Sequence, residues 1–141
     1  MDTHQYDFYT WTHEQATLLK EGRLADLDIE HLIEELEDMG ASKEQELENW
    51  LGVLLAHLLK WQYQPERRGN SWAATIEEQR RRIERLLRKN PGLKSYLGEA
   101  FENAYGDARL IAVRETGMPK NVFPDTSPFT FDQAISDYWP D

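Results

Sequence analysis

Leucines recur at the period of an α-helix through the middle of the chain: Leu47, Leu51, Leu54, Leu55 and Leu58 share one face. Apolar side chains at this spacing form a stripe that has to be buried against a neighbouring element. Ser42-Lys43-Glu44-Gln45 has the form of a capping box ahead of the stripe, and Pro65 follows it. These signals predict a long helix from Ser42 to about Tyr63 that supplies one side of a helical core.

Two further helices are predicted before Ser42. The first has a capping box at Thr12–Gln15 and a stop at Gly22. The second runs from about Leu27 to Met39 and ends at Gly40. Its predicted core face consists of the apolar residues at helical spacing, namely Leu32, Ile33, Leu36 and Met39.

Three helices are predicted after Pro65. A cap at Asn70 or Ser71 opens the fourth, which Asn90-Pro91 closes, and the fifth runs from about Leu93 to Glu115. Gly117 and the proline shortly after it form a strong stop signal. The tail from about residue 118 is expected to be extended and to pack on the bundle, with a capping box at Thr130–Gln133 for a short closing helix.

The sequence therefore predicts an all-α protein, a single compact bundle of about five main helices plus a short C-terminal helix over residues 1–141. A chain of this length can bury about two thirds of its unfolded surface, which is enough for one core. It has no cysteine, which excludes disulfides and thiolate metal sites and favours a reducing, cytoplasmic compartment. No apolar run is long enough to cross a membrane.

The net charge of −10 is unevenly distributed. Residues 1–50 carry 14 acids and 3 bases, residues 51–95 carry 4 acids and 10 bases, and residues 96–141 carry 8 acids and 3 bases. Nucleic-acid binding needs a surplus of Lys and Arg on one face, so an acidic chain of this kind is a poor candidate. The expected partner is a protein, with neither nucleic acid nor membrane, and no cofactor is expected.

Several stretches read together resemble a known bacterial family. They are residues 7–11 (Asp-Phe-Tyr-Thr-Trp), residues 32–40, residues 57–68 with Ser71-Trp72, and Glu115-Thr116-Gly117 with Pro119. The chain is similar to the family called domain of unknown function 29, and the resemblance covers nearly its whole length. It implies a small, all-helical fold and no particular activity.

Polar residues on faces that should be apolar mark a candidate pocket. Gln62 lies within the leucine stripe, while Gln79 and Arg80 lie among the apolar residues of the fourth helix. With Glu35 and His57 they would form a site in which Glu35, His57 and Arg80 are the weak catalytic candidates, suited to proton transfer or to an anionic ligand. The alternative is a buried, hydrogen-bonded network that fixes helix register.

A second polar stripe has residue types that ligate metals: Asp28, His31, Glu35 and Asp38. Helical bundles that hold two irons use paired Glu-x-x-His motifs, and no such pair is present, so no metal is expected and a solvated acidic flank is the better interpretation. No nucleophile elbow, phosphate-binding glycine loop or zinc-protease motif occurs either.

The segment from residue 61 to residue 72 combines aromatic and charged side chains, a composition typical of interface anchors. The alternative is a rigid turn in which an arginine satisfies helix-end carbonyls. The leading hypothesis is a small interaction or regulatory module that uses this region, and the competing one is an enzyme or ligand-binding protein that uses the pocket. The predicted partner-binding residues are Trp61, Gln62, Tyr63, Glu66, Arg67, Trp72 and Gln79.

Overall fold

The computed structural model describes residues 3–141, and every regular element in that range is helical, with no strand between Thr3 and Asp141. The prediction of an all-α fold is therefore confirmed. The short stretches Leu24–Asp26, Pro65–Arg67, Pro91–Tyr96 and Lys120–Val122 are 3₁₀ turns. The α-helices are α1 (Thr3–Tyr6), α2 (Phe8–Lys20), α3 (Ile29–Tyr63), α4 (Asn70–Lys89), α5 (Leu97–Thr116) and α6 (Phe131–Ile135).

Helix α3 joins what the sequence predicted as two helices. It runs without interruption through Gly40 and Ser42, so the predicted stop and the predicted capping box are both wrong. A glycine inside a helix costs only about 1 kcal/mol relative to alanine, and no proline follows Gly40 to enforce a break. Gly40 lacks the positive φ of a helix-ending glycine, which Gly22 and Gly117 do adopt.

Helix α2 begins at Phe8, several residues before the start that the sequence predicted. Asp7 caps this helix, because its carboxylate accepts a hydrogen bond from the Thr10 backbone N–H at 3.0 Å. The predicted box at Thr12 is wrong, since the Thr12 hydroxyl donates to the Tyr9 carbonyl within the helix. The predicted end is confirmed: α2 stops at Lys20, and Gly22 has a φ of 71°.

The chain forms two compact units, one up to Ala41 and one from Ser42 to Asp141. Within residues 3–41 of the N-terminal unit, the buried side chains are Trp11 and Gln15. Both hydrogen-bond to Asp28: the Trp11 indole donates to its carboxylate, and Gln15 accepts from its backbone N–H. Polar contacts therefore hold this unit together.

The C-terminal unit has a conventional apolar core. The leucine stripe of α3 is fully buried, as predicted, and small residues of α5 let that helix approach closely. Two phenylalanines of the tail, Phe123 and Phe129, complete the core. Its main contributors are Leu47, Leu51, Leu54, Leu55, Leu58 and Leu59 from α3, Ile76, Ile83, Leu86 and Leu87 from α4, and Ala100, Ala104, Tyr105, Ala108 and Ala112 from α5.

Three predicted stop and start signals in this unit are confirmed. Helix α4 ends at Lys89 before Asn90-Pro91, and α5 ends at Thr116 with Gly117 in the left-handed conformation. The capping box of α6 is complete: the Thr130 hydroxyl accepts from the Gln133 N–H, and the Gln133 amide accepts from the Thr130 N–H. The cap predicted at Asn70 or Ser71 is wrong, since the N-cap of α4 is Gly69 and no side chain caps it.

Candidate functional site

Arg80 is buried in the C-terminal unit, with 8% of its surface exposed. Its Nε donates to the Ala134 carbonyl at 2.7 Å, and its Nη2 donates to the Tyr138 carbonyl. The guanidinium also lies 5.2 Å from the centre of the Trp139 ring. Burial lowers the pKa of Arg80, and the nearby carboxylate of Asp137 opposes that shift. Arg80 therefore holds the C-terminal tail through the tail's own backbone.

Arg68, which lies in the connection between α3 and α4, makes a similar contact. Its Nε donates to the Trp61 carbonyl at 2.6 Å, and its Nη2 reaches the Pro140 carbonyl at 3.4 Å. The rings of Trp61 and Trp139 are 4.8 Å apart, and the Arg68 guanidinium lies 5.3 Å from the Trp61 ring. We call Trp61, Arg68, Arg80 and Trp139 the tail clamp.

Two glutamines of the predicted pocket have side-chain oxygens that no donor reaches within residues 3–141. Gln62 lies on α3 and Gln79 on α4, and Gln79 has 7% of its surface exposed. A buried oxygen without a hydrogen bond costs about 1 to 3 kcal/mol. Gln79 is buried and Gln62 is half-buried, and a hydrogen-bonded network that includes them stays a prediction.

His57 has Val53, Lys60 and Glu115 as its neighbours. Its Nδ1 donates to the Val53 carbonyl one turn earlier, at 2.8 Å. Burial lowers the pKa of His57, and the positive charge of Lys60 adds to that effect, whereas the Val53 hydrogen bond and Glu115 oppose it. Lys60 is itself buried and donates to Glu115 at 3.0 Å. His57 therefore has a lowered pKa and lies near the Lys60–Glu115 ion pair.

The remaining residues of the predicted partner-binding segment differ in their contacts: Trp72 and Tyr63 contact other residues of the protein, whereas Glu66 and Arg67 are exposed. The Lys60 ammonium lies 4.9 Å from the Trp72 ring, and the Tyr63 ring meets Phe123 edge to face at 5.4 Å. Glu66 and Arg67 are exposed on a 3₁₀ turn. The aromatic anchors of this segment thus contact the protein's own core and tail.

In the N-terminal unit, Glu35 belongs to a network of rings and carboxylates. His4 donates to Glu35 at 2.6 Å, and the rings of His4 and His31 stack with centroids 4.2 Å apart. His31 in turn donates to Asp28 at 2.7 Å. The Asp28 pKa is lowered, chiefly by the hydrogen bond from His31 and then by that from Trp11.

The three weak catalytic candidates therefore have separate partners. Glu35 contacts His4 in the N-terminal unit, while His57 has Glu115 as its acidic neighbour and Arg80 contacts the tail. A pocket that unites them stays a prediction. The metal interpretation of Asp28, His31, Glu35 and Asp38 has no support, since the part of the chain from Thr3 onward contains no group of three or more His, Asp or Glu placed to hold an ion.

Most of the face of the second predicted helix that was expected to lie in a core is instead exposed, and Leu32 is half-buried. Ile33 is 52% exposed, Leu36 is 66% exposed and Met39 is 65% exposed, as is Ile29 at 56%. The prediction of a buried face is wrong because the polar residues beside it, His31 and Glu35, make the contacts with α1. We call this row the apolar stripe: Ile29, Ile33, Leu36 and Met39, which are exposed, and Leu32, which is half-buried.

A comparison with protein-family models shows which family the chain belongs to. The family model described as Domain of unknown function DUF29 matches residues 3–140. The chain belongs to the DUF29 family. No curated protein matches it, and no solved structure does. None of the helices that the structure describes in this DUF29 chain is long and apolar enough to cross a membrane.

Sequence reasoning missed one member of the tail clamp, Trp139, and named Arg68 only within the alternative interpretation of residues 61–72. The signal for Trp139 was present in the last residues of the DUF29 chain, where Tyr138, Trp139 and Pro140 follow one another. Aromatic residues that close a tail are candidates to return to the core. The alternative interpretation of residues 61–72, in which an arginine satisfies helix-end carbonyls, describes what Arg68 does with Trp61.

Proposed function

We propose that this DUF29 protein is an interaction module that binds a basic amphipathic helix of a partner protein on its apolar stripe. The observation that carries the proposal is the exposure of that stripe, in which Leu36 and Met39 each expose about two thirds of their surface. Monomeric proteins rarely leave contiguous apolar surface of this kind uncovered, and such surface is typical of a binding site.

The spacing of the stripe supports a helical partner. Ile29, Leu32, Ile33 and Leu36 stand at positions i, i+3, i+4 and i+7 of one helix, and Met39 continues the row. The same spacing supplies the anchors wherever two amphipathic helices pack along their apolar faces. A partner helix with its own apolar row would bury both rows at once.

The charge around the stripe supports a basic partner. Residues 1–41 contain eleven acidic residues and two basic ones, Lys20 and Arg23. Glu30, Glu34 and Glu37 are exposed along one border of the stripe. A second copy of this chain would bring two acidic borders together, whereas lysines and arginines would complement them. The absence of cysteine favours a cytoplasmic setting for such a complex.

The test is a binding titration of the full chain with designed peptides, followed by fluorescence anisotropy. One peptide carries leucine at i, i+3, i+4 and i+7 with lysine elsewhere, and its matched control carries glutamate in place of lysine. We expect the lysine peptide to bind at least ten times more tightly, and its affinity to fall as salt is raised, because salt screens the opposite charges.

Two substitutions locate the surface. Leu36→Asp places a charge in the stripe and should weaken binding at least tenfold, whereas Leu110→Asp alters an exposed leucine of α5, 53% exposed against 66% for Leu36, and should change nothing. Equal binding by both variants would overturn the proposal. So would sedimentation showing that the protein alone forms a dimer which Leu36→Asp dissociates, since the stripe would then serve self-association.

A further inference from the structure

Helix α4 carries six of the sixteen Lys and Arg residues of this acidic chain, and three of them line a cleft. The cleft has a volume of about 260 Å³ and lies between the start of the C-terminal unit and the second half of α4. Its charged and aromatic lining consists of Lys43, Glu46, Trp50, Arg82, Arg85 and Lys89, and Asn90 adds a polar amide. We call it the Trp50 cleft.

The positive charge of this cleft is only partly balanced by the protein itself. Glu46 lies 3.5 Å from Lys43, and Arg82 pairs with Glu78 at 2.6 Å one turn back along α4. Arg85 and Lys89 have no carboxylate within ion-pair distance in the described range of residues 3–141. Four cations with one lining carboxylate give the cleft a surplus of positive charge.

Helix chemistry accounts for some of these cations but not for all. Lys89 is in the last turn of α4, where a cation complements the helix dipole. Arg85 lies one turn earlier. The residue four positions before it, where an acid could pair with it along the helix, is Arg81. Like charges one turn apart destabilise a helix slightly, so Arg85 has a cost that an external anion would offset.

Trp50 gives the cleft a flat, half-buried wall. The Arg82 guanidinium lies 5.9 Å from the centre of its ring, within the distance of a cation–π contact. This contact holds one guanidinium at the edge of the cleft, while Arg85 remains free to meet a ligand. Guanidinium groups present donors in a fixed fork that matches two oxygens of a phosphate.

We propose that the Trp50 cleft binds a phosphate monoester, with Arg85 and Lys89 contacting the phosphate and Trp50 contacting the group attached to it. The volume favours a compact ligand, because pockets for drug-sized molecules start at about 300 Å³. The monoester can come from a small phosphorylated metabolite or from a phosphorylated side chain. This site lies within the C-terminal unit and does not depend on the apolar stripe.

The first test measures binding of inorganic phosphate to the full chain by calorimetry at fixed ionic strength, with chloride as the reference anion. We expect saturable phosphate binding, weakened at least tenfold in the double variant Arg85→Gln, Lys89→Gln. The control is Arg81→Gln, an exposed arginine of the same helix that does not line the cleft. It should weaken binding less than twofold.

The second arm separates the sources of the phosphate. Phenyl phosphate and a nucleoside monophosphate carry a flat group, whereas phosphoserine carries none. Tighter binding of the nucleoside monophosphate, lost in Trp50→Leu, would assign the site to a phosphorylated metabolite, and tighter binding of phenyl phosphate, which resembles a phosphorylated tyrosine, would assign it to a phosphorylated side chain. Equal binding of all three esters would overturn the contact between Trp50 and the attached group. The proposal is overturned if phosphate binds no better than chloride, or if Arg81→Gln and the double variant weaken it alike. Circular dichroism checks that each variant keeps its helices.

Discussion

Replacing Arg80 by methionine tests how much the tail clamp contributes to stability. Methionine retains the length and apolar volume of the side chain but removes the two hydrogen bonds to the Ala134 and Tyr138 carbonyls. A hydrogen bond from a charged donor contributes about 1.5 to 3 kcal/mol, and carbonyls left buried without a donor add a penalty. We therefore expect the free energy of unfolding to fall by about 3 to 5 kcal/mol.

The assay is equilibrium unfolding in urea, followed by tryptophan fluorescence, since Trp139 lies against the Arg80 guanidinium. With a slope of about 2 kcal/mol per molar urea, the midpoint should fall by roughly 2 M. Arg81→Met is the matched control, because this neighbour is exposed on the same helix and should change stability by less than about 0.5 kcal/mol. Equal midpoints for the two variants would refute a clamp.

Three further predictions concern titration and capping. The pKa of His57 is lowered by burial in the folded protein, so the protein should lose stability as the pH falls below 6.5, the pKa expected in the unfolded chain. The variant His57→Asn retains a donor for the Val53 carbonyl and should reduce this pH dependence of stability, measured by urea melts between pH 7.5 and pH 5. Tyr96 and Tyr105 have pKa values raised to about 12, Tyr96 chiefly by its hydrogen bond to Glu48 and Tyr105 chiefly by burial. Stability should therefore fall as pH rises from 10 to 12, and absorbance at 295 nm should lose one late-titrating tyrosine in each Phe variant. Thr130→Ala should cost about 1 kcal/mol by removing the α6 cap, whereas exposed Thr126→Ala should cost nothing measurable.

The parts of the fold that were predictable depend on local chemistry. The leucine stripe from Leu47 to Leu58 is buried as its period requires, and Gly117 and Thr130 act as the stop and the cap that their neighbours indicate. Periodicity says which residues share a face, but it does not say which face is covered. That is why Leu36 was assigned to a core and is exposed, while His31 beside it makes the packing contacts.

The contacts of the candidate site were only partly predictable. Arg80 was identified because a charged residue on an apolar face needs a partner, yet that partner is a carbonyl 54 residues away in the tail. No spacing rule connects positions so far apart. The Trp50 cleft escaped notice for the same reason: the arginines of α4 were visible, but Lys43 and Trp50 come from α3 and only the packing of the two helices brings them together.

The polar interior of the N-terminal unit has a consequence for its dynamics. Among residues 3–41, Trp11 is the one buried apolar side chain, while four of the five residues of the apolar stripe are exposed. A unit with so little buried apolar surface opens at a small cost, so amides of α2 should exchange with deuterium sooner than those of α4 and α5. A helix bound to the stripe would supply the missing core, so folding of this unit and capture of its partner would form one coupled equilibrium. Affinity would then depend on residues such as Trp11 and Asp28, which never touch the partner.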